Sequence, residues 1–289
     1  MKGLGTALIT PFKADGSVDY EALARLLDTQ LTGYVDYIVV LGTTGEAATL
    51  TADEKREVRQ FIVKYVNGRL PLVLGVGGNN TAQVISDLQA MRNELILDFT
   101  AILSVCPYYN KPNQEGLYQH FCAIAEASPI PVILYNVPGR TGVNLLPETV
   151  MRIYNAHPDK ILGIKEASGN IEQIKHLINL INAEGNKREA LYVISGDDAL
   201  ACEVMQAGGA GLISVASNAF AEDFWHIVHE KDQVRQVKYA EMIRLLFAEG
   251  NPVGIKAVLA QKGIIQNYLR LPLVPASAEL QDKIQKELA

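Results

Sequence analysis

The chain has 289 residues, 48% of them hydrophobic and 20% charged, enough apolar side chain to bury a large core. Its formal charge of −6 argues against a surface for nucleic acid or anionic membrane. Cys106, Cys122 and Cys202 lack CxxC spacing, so neither a disulfide framework nor a zinc cluster is suggested. The residues from Met1 to Thr6 hold no signal-peptide core, and no apolar run approaches the ~20 residues of a membrane helix, which predicts a reduced, cytoplasmic setting.

Short β-rich runs recur about every thirty residues, the period of a strand–helix unit. The first is Leu4–Thr10. The second, Tyr37–Leu41, ends in Gly42-Thr43-Thr44-Gly45-Glu46, hydroxyls and amides between glycines that suit either a small carboxylate or a plain turn. Thr51 and Glu54 form a predicted capping box ahead of the helix Lys55–Val66. Leu72–Gly75 and Thr100–Val105 follow, the latter running into Cys106-Pro107-Tyr108-Tyr109-Asn110-Lys111-Pro112. Paired tyrosines in a Pro-bounded loop suit packing or an interface as readily as a reaction.

The fifth run, Val132–Asn136, carries Tyr135 and leads to Arg140, which lies between Gly139 and Gly142. That arginine is either a solvated loop charge or a fork for a carboxylate. Pro147 suits the first turn of a helix. The sixth run, Ile161–Lys165, places a lysine at the C-terminal end of a buried strand. An ammonium there is costly unless paired or deprotonated, so Lys165 either pairs with Glu166, snorkels to water, or is an amine able to form an imine with a carbonyl. Isoleucines 171, 174, 178 and 181 keep helical spacing through Asn170–Asn182. Tyr192–Ser195 is followed by Asp198, where Asp198 or Ser195 could cap the next helix. Gly211–Val215, with Ile213, is the last run, and from about Asp223 onward the pattern is helical only, around Gln233–Ala248, Pro252–Lys262 and Ala278–Ala289.

Eight such units without adjacent hairpins predict a (β/α)8 barrel over residues 1–222, with a helical region over residues 223–289 packed on it. In that fold the loops after the strands build the active site. One amine, tyrosine and threonine hydroxyls and one guanidinium all fall there. The five histidines fall in helices or beside them, so metal-dependent hydrolysis lacks ligands at the strand ends. No G-x-S-x-G elbow is present, and Gly75-Val76-Gly77-Gly78 is not followed by a nucleotide fingerprint.

Four ordered motifs carry a resemblance: GTTGE (42–46), YYNKP (108–112), YNVPGRTG (135–142) and GIKEASG (163–169). Together they resemble the Schiff-base pyruvate aldolases of the N-acetylneuraminate lyase superfamily, and within it the dihydrodipicolinate synthase family, over essentially the whole chain. The resemblance implies that Lys165 forms an imine with pyruvate and that Tyr135, Thr43 and Tyr109 relay protons, Tyr109 reaching in from a neighbouring subunit. It implies that Thr44 and the backbone of Ile213 hold the pyruvate carboxylate, and that Arg140 binds L-aspartate 4-semialdehyde. It further implies a homotetramer of two tight dimers and no metal or organic cofactor. Lysine-inhibited members resemble this chain at Asn79 and Tyr108 but have histidine in place of Ala52 and often of Lys55, so weak feedback inhibition is expected. Two other readings of the same residues are a lyase for sialate or a 2-keto-3-deoxy sugar acid, disfavoured by Arg140, and a catalytically silent barrel, disfavoured by the full set of reactive residues.

Overall fold

A computed structural model describes residues 1–91, 95–183 and 191–289. Among them are the strands β1 (Gly3–Ala7), β2 (Tyr37–Val40), β3 (Leu72–Gly75), β4 (Ala101–Val105), β5 (Val132–Asn136), β6 (Ile161–Glu166), β7 (Tyr192–Ser195) and β8 (Gly211–Ser214). They form one closed barrel in sequence order, with parallel neighbours. Strands buried on both faces need near-continuous apolar runs, which is why YIVV, AILSV and VILYN do not alternate. The predicted (β/α)8 barrel is the observed fold.

The helices between the strands are α1 (Tyr20–Gln30), α2 (Ala52–Val66), α3 (Thr81–Met91), α4 (Gln114–Ala127), α5 (Pro138–Thr141), α6 (Pro147–Ala156), α7 (Ile171–Ala183) and α8 (Ala201–Gln206). After β8 come α9 (Ser217–His229), α10 (Gln233–Lys238), α11 (Ala240–Phe247), α12 (Val253–Gln261) and α13 (Ala278–Leu288). The capping box is present: Glu54 N donates to Thr51 Oγ1 at 3.2 Å, and Thr51 N donates to Glu54 Oε2 at 2.9 Å. Pro147 opens α6, and Ile174 and Ile178 of α7 are buried as the spacing predicts.

Two of the differences from expectation have causes in distant contacts. The first strand stops at Ala7 instead of Thr10 because Asn218 takes over the backbone bonding: its Nδ2 donates to Ala7 O (2.8 Å) and its Oδ1 accepts from Ile9 N (3.2 Å). The stretch 233–248 is two helices broken at Tyr239, whose hydroxyl donates to Asp223 Oδ2 and whose ring packs on Phe220 and Phe224.

The described residues fall into two compact units, one of residues 1–3 with 72–213, the other of residues 4–71 with 214–289. In the first, strands β3 to β7 are covered by α3, α4, α6 and α7, which pack side by side. In the second, α1 packs on α2 and α9, and α11, α12 and α13 pack on one another. Gly5 is required there, because a Cβ would sit 2.2 Å from the ring of the fully buried Tyr37.

Candidate active site

In the first unit, β5 and β6 pair so that Tyr135 lies opposite Lys165 and Asn136 opposite Glu166. Side chains alternate along a strand, so Tyr135 and Lys165 share one face while Asn136 and Glu166 share the other. The second pair faces the helices. Glu166 accepts from Asn136 Nδ2 (3.1 and 3.0 Å), Ser168 N (2.8 Å) and Gln173 Nε2 (3.1 Å). Burial pushes the Glu166 carboxyl up, and these hydrogen bonds oppose the shift. Glu166 is therefore not the counter-ion of Lys165. The lysine turns inward, is 6% exposed, and sets its Nζ 4.5 Å from the centroid of the Tyr135 ring.

The same cluster shapes the loop after β5. Asn136 Oδ1 accepts from Leu145 N (2.9 Å) and its Nδ2 donates to Asn144 Oδ1 (2.8 Å), closing the segment that carries Arg140. Arg140 sits on the short helix α5, exposed, and Gly142 caps that helix with φ 74°. The loop after β4 behaves differently. Tyr109 is 89% exposed and has φ 73°, an unusual backbone for a bulky residue. Asn79 Nδ2 donates to Tyr108 O (3.1 Å) and Asn79 O accepts from Asn110 Nδ2 (2.8 Å), which holds the loop in that shape. Ile213 is 1% exposed on β8. After β7 it is Asp197, in place of Asp198 or Ser195, that caps the following turn, accepting from Ala199 N (2.9 Å).

In the second unit, Thr43, Thr44 and Gly45 form one 3-10 turn directly after β2. Thr43 is half-buried and Thr44 buried. Glu46 follows with φ 51°, its carboxylate ion-paired to the fully buried Lys256 of α12. Burial holds the Lys256 ammonium down to about 8 against the opposing pull of Glu46.

The chain matches the Dihydrodipicolinate synthetase family over residues 1–289. It belongs to that family. It is 48% identical to the 4-hydroxy-tetrahydrodipicolinate synthase of Parabacteroides distasonis, over 100% of this chain and 96% of that one. Among solved structures, the dihydrodipicolinate synthase of Thermotoga maritima aligns with a TM-score of 0.93 at 39% identity, covering 100% of this chain and 97% of that one. The chloride-inhibited dihydrodipicolinate synthase of Acinetobacter baumannii, solved with pyruvate, aligns at 0.91 and 38%, covering 99% and 97%.

Two features of this site go beyond the expectations from sequence. Gly196, just after β7, has no room for a side chain: a Cβ would lie 2.9 Å from Lys165 Cε and 2.7 Å from Ala167 Cβ. The Asn136–Glu166 cluster was the second. Its signal was present, since polar residues in tandem at two neighbouring strand ends, Tyr-Asn and Lys-Glu, place one pair inside and one outside. For Gly196 no local signal existed, because the atom it accommodates comes from another strand.

Proposed function

We propose that the protein condenses pyruvate with L-aspartate 4-semialdehyde to give 4-hydroxy-tetrahydrodipicolinate. The observation that carries this reading is Lys165: a buried amine at a strand end, set over a tyrosine ring, with its acidic sequence neighbour turned to the other face. The Lys165 amine attacks the keto carbon of pyruvate and water leaves, forming an imine. The imine withdraws electrons, so a methyl proton departs and an enamine forms. The enamine carbon attacks the aldehyde, and the resulting alkoxide takes up a proton. The amino group of the semialdehyde then attacks the imine carbon, closing the ring and expelling Lys165. One water is lost overall.

Tyr135, Thr43 and Tyr109 pass the protons between them, since a lone hydroxyl is a weak base and acts better in a chain. Thr44 and the Ile213 backbone hold the ketoacid carboxylate, and the Arg140 guanidinium receives the carboxylate of the semialdehyde. The exposure of Tyr109 supports its use in a neighbouring subunit, within a homotetramer of two tight dimers. Among the described residues no helix is long and apolar enough to cross a membrane, and we place the enzyme in the cytoplasm.

Incubation with pyruvate, borohydride reduction and peptide mapping tests the imine, and turnover of the semialdehyde against N-acetylmannosamine tests the second substrate. The expected result is an adduct on Lys165 and turnover of the semialdehyde alone. No adduct at Lys165 would overturn the imine. An adduct with turnover of the amino sugar would assign the chain to the sugar-acid lyases.

A further inference from the structure

The turn that carries Thr43 and Thr44 is an uneasy piece of backbone. Leu41 just before it has φ 57° and Glu46 just after it has φ 51°, both non-glycine residues in the left-handed region. A turn flanked in this way keeps its shape only if its surroundings over-determine it, and the same compact unit supplies three restraints. Thr10 Oγ1 donates to Gly45 O at 2.7 Å. The backbone N–H of Arg270 donates to Glu46 Oε2 at 3.2 Å, and the Lys256 ammonium pairs with the other Glu46 oxygen. Lys256 is itself fixed, donating to Tyr268 O (3.0 Å) and lying 4.2 Å from the centroid of the Phe12 ring, which also lies against the Arg270 guanidinium.

The fourth contact bears on chemistry. Asn251, immediately before α12, donates from Nδ2 to Thr44 Oγ1 at 3.0 Å. A hydroxyl has one proton and two lone pairs. An amide donor on one lone pair leaves the Thr44 proton to point away from Asn251. Among the described residues that proton meets no protein acceptor, although Thr44 is only 2% exposed. A buried donor without a protein acceptor fits a bound anion.

We propose that Asn251 is a positioning residue for the ketoacid: it sets the Thr44 hydroxyl as a donor toward a carboxylate, while the Glu46–Lys256 pair and Arg270 hold the turn beneath it. The proposal rests on the reading of Thr44 as a carboxylate-binding residue. It gives the region after residue 250 a part in substrate binding that neither strand ends nor loop motifs disclose.

The test is a cycle of Asn251→Leu, Thr44→Val and the double variant, with the fold of each checked by thermal melting. Asn251→Leu is expected to raise KM for pyruvate about tenfold, the scale of one lost or misdirected hydrogen bond to a charged group, and to raise the half-saturating pyruvate for borohydride trapping equally. KM for the semialdehyde should stay within about twofold, a split that general loosening of the fold would not produce. In the Thr44→Val background, Asn251→Leu should add nothing, because its effect runs through that hydroxyl. An unchanged pyruvate KM, a parallel rise in both KM values, or effects that multiply would each overturn the proposal. If the leucine variant does not fold, Asn251→Ser is read by the same criteria. Failure of the wild-type protein to trap pyruvate at all would instead remove the catalytic reading, so the two failures are distinguishable.

Discussion

Gly196, just after β7, and Lys165, on the neighbouring β6, occupy adjoining space: a Cβ on the glycine would lie 2.9 Å from Lys165 Cε and 3.1 Å from its Cγ. The lysine stem therefore runs where any other residue at 196 would place its side chain. Gly196→Ala is expected to displace Lys165 from the Tyr135 ring and to cut kcat by about 10²-fold, the scale of a reacting group misplaced by roughly an ångström. Overpacking should also cost about 1–3 kcal/mol of stability. The measurement is steady-state kinetics beside a denaturant melt. Wild-type kcat in the alanine variant would show that the stem has another path.

Glu166 stands next to Lys165 in sequence and on the opposite face in space, so its removal should separate stability from chemistry. Asn136, Ser168 and Gln173 all donate to its oxygens. Glu166→Gln turns one acceptor into a donor facing those donors and is expected to cost about 1–3 kcal/mol. Borohydride trapping at Lys165 should persist. Loss of trapping in a folded variant would mean that the carboxylate acts on the amine after all.

The Glu54–Arg270 pair predicts an acid-sensitive contribution to stability. Hydrogen bonds from Arg270 hold the Glu54 carboxyl down to about 2, below its ordinary value of roughly 4.3 in an unfolded chain. A depressed carboxylate stabilises the fold above the unfolded value, and that contribution fades as pH falls through the folded one. Glu54→Gln keeps an acceptor for Thr51 N, so it isolates the charge pair. The variant should be less stable than the parent by about 1–2 kcal/mol at neutral pH, discounted because both side chains retain some exposure. The gap should narrow below about pH 4 and close near pH 2. Thermal melts across that range check it.

Tyr109 makes a contrasting case. At 89% exposure its ring contributes little to its own protomer. Tyr109→Phe should leave stability within about 0.5 kcal/mol and lower kcat by roughly 10- to 10²-fold. Sedimentation of the parent protein should show an assembly larger than a monomer. A monomer with full activity would remove the neighbouring subunit from the reaction.

Ala52 and Lys55 lie at the start of α2, and no histidine is available there to meet a bound lysine. Sub-millimolar lysine is expected to leave the steady-state rate unchanged, and strong inhibition in a titration would contradict this.

Much of this was legible along the chain. Apolar runs at a regular period, Pro147, and the Thr51–Glu54 pair are local signals, and each strand and cap they predict is present, apart from the shortened β1. The placement of Tyr135, Lys165, Thr43 and Arg140 at or just beyond strand ends was legible as well, because apolar runs and the glycines that close them are local patterns. The end of β1 was not, since Asn218 replaces its ladder from more than two hundred residues away. The split of the helix at Tyr239 was hidden for a similar reason, as Asp223 and two phenylalanine rings hold that side chain.

Hydrophobic period and strand-end composition are properties of adjacent residues, and they sufficed for the barrel, the order of its strands and the place of Lys165 at a strand end. The surroundings of Lys165 in one unit, and of the Thr44 turn in the other, took shape only in the folded chain. Register turned Lys165 toward Tyr135 and Glu166 away from it, Gly196 left the space for the lysine stem, and a buried lysine and an asparagine beyond residue 250 braced the Thr44 turn. The physical reason is range. Pairing across strands and burial of charge join residues that no local pattern relates, and their partners become visible only once the chain has closed on itself.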